Sequence, residues 1–347
     1  MNRKDSFIII IFFTIHLKFN LSKKIIGWYD NNKRVLPWRV PFRSSKKLYY
    51  RLLSEFMLQQ TQVKTVIPYF LRFVNKIKTL ESLSQTNEKQ ILKYWEGLGY
   101  YRRARNLLAT SKILVKEKNS ILPKTLIDIK KLPGIGDYTA NALLGLVYNQ
   151  PRIALDGNVK RIFSRLINKR ENKINFENFV KKNKSKLFVS ERNADFVEAI
   201  MEFGSLVCKP QDPHCNICTL RNYCKFKKSN KKNKLTTPTN FNKKNYNIFC
   251  YINKNKQIGL TNKNNLGFLK NFNLPIVKEK KDSLKIKNWN FLCNYKNSIS
   301  NKTLNIDLYY KFSHKIPKGL NWYSLYDKKE FIPTFNKKIF RRLENLY

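Results

Sequence analysis

Residues 132–140 read Leu132-Pro133-Gly134-Ile135-Gly136-Asp137-Tyr138-Thr139-Ala140. The stretch joins two helical patterns, one ending over Leu126–Lys131 and one running from Tyr138 to Tyr148. Pro133 stops the first pattern and the two glycines permit a tight reversal before the second. Such a turn points backbone N–H groups outward at a helix N-terminus, which makes an anion site. Gly134 and Gly136 are therefore candidate phosphate-binding residues. Pro-Gly turns also join helices for connective reasons alone, so the anion reading rests on what surrounds this one.

Outward toward the C-terminus, Asp156 follows the apolar Ile153-Ala154-Leu155 and opens Asp156-Gly157-Asn158-Val159-Lys160-Arg161. Its plain reading is a helix N-cap. A carboxylate there is expected to be held ionised by the helix dipole, which suits it to stabilise a cationic intermediate. Outward toward the N-terminus, Leu48–Val63 carries a stripe of Tyr49, Leu52, Leu53, Phe56 and Met57 at helical spacing. Glu55 sits at the stripe's edge, beside Leu52 and Phe56. Partial burial would raise its pKa and keep it protonated, as a general acid requires. An exposed helix Glu is the bland alternative. Ile91–Leu108, Asn141–Tyr148, Val159–Ile167 and Phe196–Val207 show the same periodicity, so the span from Leu21 to about Leu220 reads as all-helical.

At the end of that span, Cys208, Cys215, Cys218 and Cys224 are separated by six, two and five residues. Four thiolates so close in sequence can surround a zinc ion or a [4Fe–4S] cube, and the chemistry of the set suits both. With six cysteines in all, a disulfide scaffold is excluded for a chain of this size. Cys250 and Cys293 lie apart from the cluster and read as packing residues.

The whole chain has 347 residues, with 69 Lys+Arg against 23 Asp+Glu and a formal charge of +46. That length suggests about two domains, and 42% hydrophobic residues exclude wholesale disorder. The charge makes a polyanion the expected partner, although the Lys- and Asn-rich bias extends into loops as coding drift would. Phe7–Ile15 (FIIIIFFTI) is apolar but shorter than the ~20 residues a bilayer needs, and no small-residue cleavage site follows. Residues 1–20 are read as a dispensable extension or a misassigned start. Residues 225–234 (KFKKSNKKNK) form a basic run, and 226–240 read as a linker. Beyond it Asn247–Ile252, Trp289–Tyr295 and Leu304–Tyr310 read as strands and Phe335–Leu346 as a helix. The expected fold is thus multidomain, an all-α module followed by a small α+β module.

Five motifs then occur in one order: LPWR (36–39), EFMLQQTQV (55–63), WEGLGYYRRARNL (95–107), LPGIGDYTA (132–140) and ALDGNVKR (154–161). With the cysteine spacing, they resemble the helix-hairpin-helix DNA glycosylases that carry a C-terminal [4Fe–4S] loop. Within that superfamily the chain is similar to the MutY-type adenine DNA glycosylases. The resemblance is strong over about 21–225 and weak beyond. It implies a glycosylase domain over 21–225 with its iron–sulfur loop at 208–224, and a Nudix-like 8-oxoguanine recognition domain over 241–347.

The implied activity is excision of adenine mispaired with 8-oxoguanine or guanine in double-stranded DNA. Glu55 would protonate N7 of a flipped adenine, and Asp156 would stabilise the oxocarbenium-like sugar by its charge or a transient adduct, supported by Asn158. Tyr138 stands where lyase-competent, endonuclease III-like relatives place a Lys, which implies a monofunctional enzyme. Trp38, Arg39 and Glu198 match positions lining the adenine pocket. Gln60 and Tyr100 match residues wedged into the duplex, and Thr61 one that contacts the oxidised guanine. For the family's Phe-Ser-His recognition loop, Ser300 and Asn301 fit the surrounding anchors better than the literal Phe312-Ser313-His314. No REXXEE-type cluster follows Gly267–Pro275, so magnesium-dependent pyrophosphate hydrolysis is not expected. The resemblance further implies a [4Fe–4S] cofactor on the four cysteines and a monomeric, cytoplasmic, nucleoid-associated bacterial protein without membrane contact. Two rival readings are a bifunctional glycosylase/lyase acting on oxidised pyrimidines and a non-enzymatic iron–sulfur protein that only scans duplexes.

Overall fold

The computed structural model describes residues 17–188, 191–228, 242–263, 269, 272–280, 286–299, 302–326 and 331–347. The chain forms two units, one made of Met1–Thr86 with Arg102–Thr237 and the other of Asn87–Tyr101 with Pro238–Tyr347. Among the described residues, no helix is long and apolar enough to cross a membrane.

The first unit is helical. It holds α1 (Leu21–Asn32), α2 (Lys47–Leu58), α3 (Val63–Lys76) and the short α4 (Leu80–Ser84), while α5 (Glu88–Tyr94) belongs to the second unit. It resumes with α6 (Arg102–Glu117), α7 (Leu126–Ile129), α8 (Asp137–Tyr148) and α9 (Gly157–Ile167). Then follow α10 (Phe176–Lys182), α11 (Lys184–Leu187), α12 (Asn193–Leu206) and α13 (Lys225–Lys228). The stripe on α2 is interior as its spacing predicts: Leu52, Leu53, Phe56 and Met57 are fully buried. Leu21 and Ile25 of α1, Ile162 and Phe163 of α9, and Ile200 and Phe203 of α12 share one apolar core.

Two glycines let the helices of this unit approach closely. A Cβ on Gly145 of α8 would lie 2.7 Å from Val197 Cγ2 of α12. One on Gly204 of α12 would lie 2.6 Å from Asn158 Cβ at the start of α9. Either substitution therefore forces two helices apart. Leu17 is buried, donates its N–H to Asn183 Oδ1 at 2.6 Å, and Phe19 stacks on Tyr223 with centroids 4.1 Å apart. Residues 17–20, counted with the extension on sequence grounds, are thus part of the helical unit because their apolar side chains have a core to enter. The remainder of that segment, 1–16, lies outside the described residues, as does most of the 226–240 linker.

Two periodic stretches read as single helices are each broken. Leu48–Val63 is interrupted after Leu58, where Gln60 takes φ 57° before α3 begins. Arg103 stabilises this break by donating Nη1–H to the carbonyls of Phe56 (3.2 Å), Met57 (2.6 Å) and Gln59 (2.5 Å). Ile91–Leu108 is interrupted over residues 95–101, where Gly97, Gly99 and Tyr100 take φ 96°, 75° and 50°. The apolar period survives this break because the loop's own Trp95, Leu98 and Tyr101 are buried.

The second unit centres on a mixed sheet, which in its described residues has the order β4-β5-β1-β2-β6 with β3 also on β1. Its strands are β1 (Asn242–Ile252), β2 (Gln257–Leu260), β3 (Ile276–Glu279), β4 (Asn290–Ile299), β5 (Lys302–Phe312) and β6 (Asn321–Ser324). β1 and β5 run parallel along their whole lengths, whereas β4 and β5 are antiparallel with Ile299 opposite Lys302. Ile248, Cys250, Ile252, Leu304, Ile306 and Leu308 form the buried side of the central pair. Helix α14 (Thr334–Leu343) completes the unit with Phe335, Ile339, Phe340 and Leu343 buried.

Candidate active site

The hairpin of residues 132–136 is seated against α2 and α6. Gly134 has φ 78°, and a Cβ there would lie 2.7 Å from Asn106 Cβ and 2.9 Å from Phe56 Cε1. A side chain is therefore excluded twice, by conformation and by space. Gly136 is the N-cap of α8 in extended backbone, with open space where a Cβ would stand. Gln59 ties the hairpin to the end of α2, its Nε2 donating to Gly134 O and Thr139 Oγ1, each at 3.3 Å. The anion-binding candidates thus flank the helix that carries Glu55.

Glu55 projects from the third turn of α2 into the unit and is 4% exposed. Its Oε2 is buried without a hydrogen-bond partner among the described residues. Burial pushes its carboxyl up to about 7; the Arg51 cation pulls it down, and the charges of Glu198 and Asp156 push it further up. Tyr138, on the first turn of α8, donates its hydroxyl to Met201 Sδ at 3.3 Å and is close enough to the Glu55 carboxyl to lower that carboxyl's pKa. Burial, then the charges of Glu55 and Asp156, raise this phenol well above its ordinary value. Glu55, Tyr138 and Asp156, from three separate helices, therefore share one electrostatic environment.

Asp156 is the N-cap of α9, its Oδ1 accepting from Val159 N at 2.7 Å and its Oδ2 from Asn158 Nδ2 at 2.7 Å. The cap reading holds, but the direction of its titration differs from expectation. Burial lifts the carboxyl above its usual value and outweighs the hydrogen bonds from Val159 and Asn158. Asn158 is itself positioned by Arg161, whose Nη2 donates to Asn158 Oδ1 at 2.8 Å and to Gly204 O at 2.7 Å. Arg161 Nε reaches Cys208 O at 2.8 Å. The motif ALDGNVKR contained this arginine, yet nothing local marks it as the support of Asn158.

A second group of charges lies nearby on α2, α12 and the segment between α1 and α2. Glu198 pairs with Arg39 Nε at 2.7 Å, with Arg51 Nη1, and accepts from the Tyr29 hydroxyl. Glu202 accepts from Arg34 N and Nε, both at 2.8 Å, and pairs with Arg39 Nη2. Trp38 is 3% exposed and meets Phe70 edge-on at 5.3 Å. Of the candidate recognition residues, Arg39 and Glu198 are thus joined to each other, and Trp38 is in the core. Glu202 and Arg34 were not singled out from sequence, because a pairing between residues 168 apart leaves no local pattern.

Gln60 is exposed and Thr61 half-buried in the turn between α2 and α3, where Thr61 N donates to Leu58 O at 3.2 Å. Tyr100 is 38% exposed and lies in the second unit. Ser300 and Asn301 lie outside the described residues, following Ile299 and preceding Lys302. Phe312-Ser313-His314 begins at the other end of β5, with Ser313 Oγ donating to Lys315 O at 2.5 Å.

The four clustered cysteines are unbridged and half-buried, and Cys208, Cys218 and Cys224 pack on the core of the helical unit. Burial, followed by the charges of the other three thiols, pushes Cys218 up to about 11. Arg165 Nη1 donates to Cys208 Sγ at 3.3 Å and to Lys209 O at 2.6 Å. Among the described residues, no three His, Cys, Asp or Glu side chains converge tightly enough for a single metal ion. The donor set, four unbridged thiols on one short stretch with Arg165 donating to Cys208 Sγ, has the chemistry that either a zinc ion or a [4Fe–4S] cluster requires.

Comparison with known proteins agrees with this architecture. Residues 53–186 match the HhH-GPD superfamily of base excision DNA repair proteins. The chain is 34% identical over 340 residues to the adenine DNA glycosylase of Buchnera aphidicola subsp. Baizongia pistaciae (strain Bp), covering 92% of this chain and 95% of that one. It is 36% identical over 210 residues to the adenine DNA glycosylase of Rattus norvegicus, covering 58% of this chain and 41% of that protein. Among solved structures, a thermostable thymine-DNA glycosylase matches with TM-score 0.53 and 22% identity over 60% of this chain and 94% of that one, a likeness of fold. The chain belongs to the adenine DNA glycosylase family.

Proposed function

We propose that the protein excises adenine mispaired with 8-oxoguanine or guanine from double-stranded DNA, hydrolysing the N-glycosidic bond and leaving an abasic site. The observation that carries this reading is Glu55: a buried carboxyl titrating at about 7, with an unpartnered Oε2, beside Tyr138 and Asp156. A general acid works best when its pKa lies near the operating pH. Protonated Glu55 donates to N7 of the flipped adenine, and the C1′–N9 bond breaks with its electron pair leaving on the base. The carboxylate of Asp156, oriented by Asn158 and the start of α9, stabilises the cationic sugar. Water adds to C1′ and yields its proton to Glu55, which is thereby restored, as in the two-carboxylate logic of glycosidases.

Tyr138 offers no amine for a Schiff base, which supports monofunctional chemistry and disfavours the lyase rival. Gly134 and Gly136 would hold a DNA phosphate at the hairpin, where contacts position the duplex without reading sequence. Trp38, Arg39 and Glu198 are assigned to the adenine pocket, Gln60 and Tyr100 to the duplex around the lesion, and Thr61 to the oxidised guanine. Ser300 and Asn301 are assigned to a Nudix-like recognition domain over 241–347. Cys208, Cys215, Cys218 and Cys224 would hold a [4Fe–4S] cluster that braces the C-terminal end of the helical unit, while the neighbouring Lys209, Arg221, Lys225 and Lys227 place positive charge toward the DNA backbone. The enzyme is proposed to act as a cytoplasmic, nucleoid-associated monomer.

The test is adenine release from A:8-oxoguanine and A:G duplexes, with strand integrity read before and after alkali. Adenine release with breaks only after alkali is expected. Nicking without alkali at the rate of adenine release would overturn the monofunctional assignment, and absence of adenine release would overturn the function. Visible absorbance of the anaerobically purified protein separates an iron–sulfur cluster from zinc thiolate.

A further inference from the structure

The segment Asn87–Tyr101 sits in sequence between two stretches of the helical unit, yet belongs to the strand-rich one. Its loop holds Gly97, Gly99 and Tyr100 in left-handed backbone, and the buried Trp95 donates Nε1–H to Gly99 O at 3.1 Å. A tyrosine in that conformation is disfavoured unless its surroundings hold it there. Two side chains on either side of Tyr100 supply the hold. Glu96 Oε1 accepts from Ile332 N at 3.1 Å and pairs with Lys337 Nζ at 3.1 Å, at the approach to α14. The Tyr101 hydroxyl accepts from Thr334 N at 3.3 Å and lies 3.4 Å from Thr334 Oγ1. Its ring meets Phe272 at 5.3 Å and Phe331 at 4.8 Å. Of two adjacent tyrosines, Tyr101 is therefore 6% exposed and anchored, and Tyr100 is 38% exposed at the surface.

We propose that Glu96 and Tyr101 are positioning residues through which the strand-rich unit sets how Tyr100 is presented to the mispaired duplex. This rests on the reading of Tyr100 as a side chain that enters the duplex beside the lesion. An inserted ring must replace base stacking lost when a nucleotide is unstacked, so its direction decides whether the insertion succeeds. A loop held by the unit proposed to read the opposite base would present the ring in a fixed direction. Loss of the anchors would keep the ring's chemistry but loosen the backbone that directs it.

The experiment measures the affinity of the full-length protein for an A:8-oxoguanine duplex relative to a fully paired duplex, by fluorescence anisotropy at one salt concentration. Wild type is compared with Glu96→Gln, Tyr101→Phe, Tyr100→Ala and each double variant containing Tyr100→Ala. Each anchor variant is expected to lower the preference about fivefold alone and less than about twofold when Tyr100 is already alanine, the non-additivity of residues acting as one unit. A full fivefold loss in the Tyr100→Ala background would overturn the proposal, because the anchors would then act independently of Tyr100. Wild-type preference in both anchor variants would overturn it equally. Wild-type preference in Tyr100→Ala would overturn it by removing the reading of Tyr100, while adenine release by that same variant would show the Glu55 chemistry intact.

Discussion

Two sets of buried glutamates in the helical unit face opposite electrostatic circumstances. Glu202 is 2% exposed and accepts from or pairs with Arg34 and Arg39, so its charge is matched where it sits. Glu55 is 4% exposed, and Arg51, four residues earlier on the same helix, is paired with Glu198. The same residue type at the same depth thus has its oxygens met by arginines in one place and keeps an oxygen without a hydrogen-bond partner among the described residues in the other. At Glu55 burial raises the carboxyl, and the Arg51 cation that opposes it is shared with Glu198.

The sharpest way to break this contrast is to neutralise each side in turn. Glu55→Gln should lower single-turnover adenine release by about 10²–10⁴-fold, the usual contribution of a general acid, while duplex affinity stays near wild type. Undiminished release would remove Glu55 from the chemistry. Glu202→Gln should instead destabilise the fold by about 4 kcal/mol, because Arg39 and Arg34 lose a buried partner; urea unfolding reads this directly. A third measurement concerns pH. With its carboxyl raised in the fold from 4.5 to about 7, Glu55 contributes stability that is complete below 4.5 and lost as pH rises through about 7. At pH 8 the Glu55→Gln protein should therefore be more stable than wild type by roughly 3 kcal/mol, with no difference at pH 4.5. The adenine-release rate of wild type should decline over the same window, since the donor proton is lost. Gly204→Ala is expected to have the smallest effect, about 2 kcal/mol of destabilisation from overpacking against Asn158, together with slower excision because Asn158 orients Asp156. Normal excision in a destabilised Gly204→Ala protein would show that Asn158 is not needed in its present place.

Much of the site was legible in local pattern. The stripe on α2 announced its buried face, and Asp156 carried the mark of an N-cap. Glu55, expected at the stripe's edge and only partly buried, is instead 4% exposed because other helices close over it. The glycine-rich turn at 132–136 was readable because a reversal between helices needs residues that only a few side chains can supply. What misled was periodicity itself: Leu48–Val63 and Ile91–Leu108 continue an apolar rhythm across breaks at Gln60 and Tyr100, since the loop residues Trp95, Leu98 and Tyr101 are buried too. The direction of the Asp156 shift was misjudged for a related reason. A dipole is local to its helix, whereas desolvation depends on every element packed around the group.

The amino-acid sequence by itself determined which faces the helices bury, that Asp156 caps a helix, and that four thiols crowd into one short stretch. Each of these depends on neighbours a few positions away. Tertiary structure alone decided that Glu55, Tyr138 and Asp156 meet, that Arg51 is committed to Glu198, that Gly145 and Gly204 admit α12 so closely, and that Asn87–Tyr101 joins the strand-rich unit. These pairings span long stretches of chain, and their energies depend on solvent exclusion and distance in space, quantities that residue order does not carry.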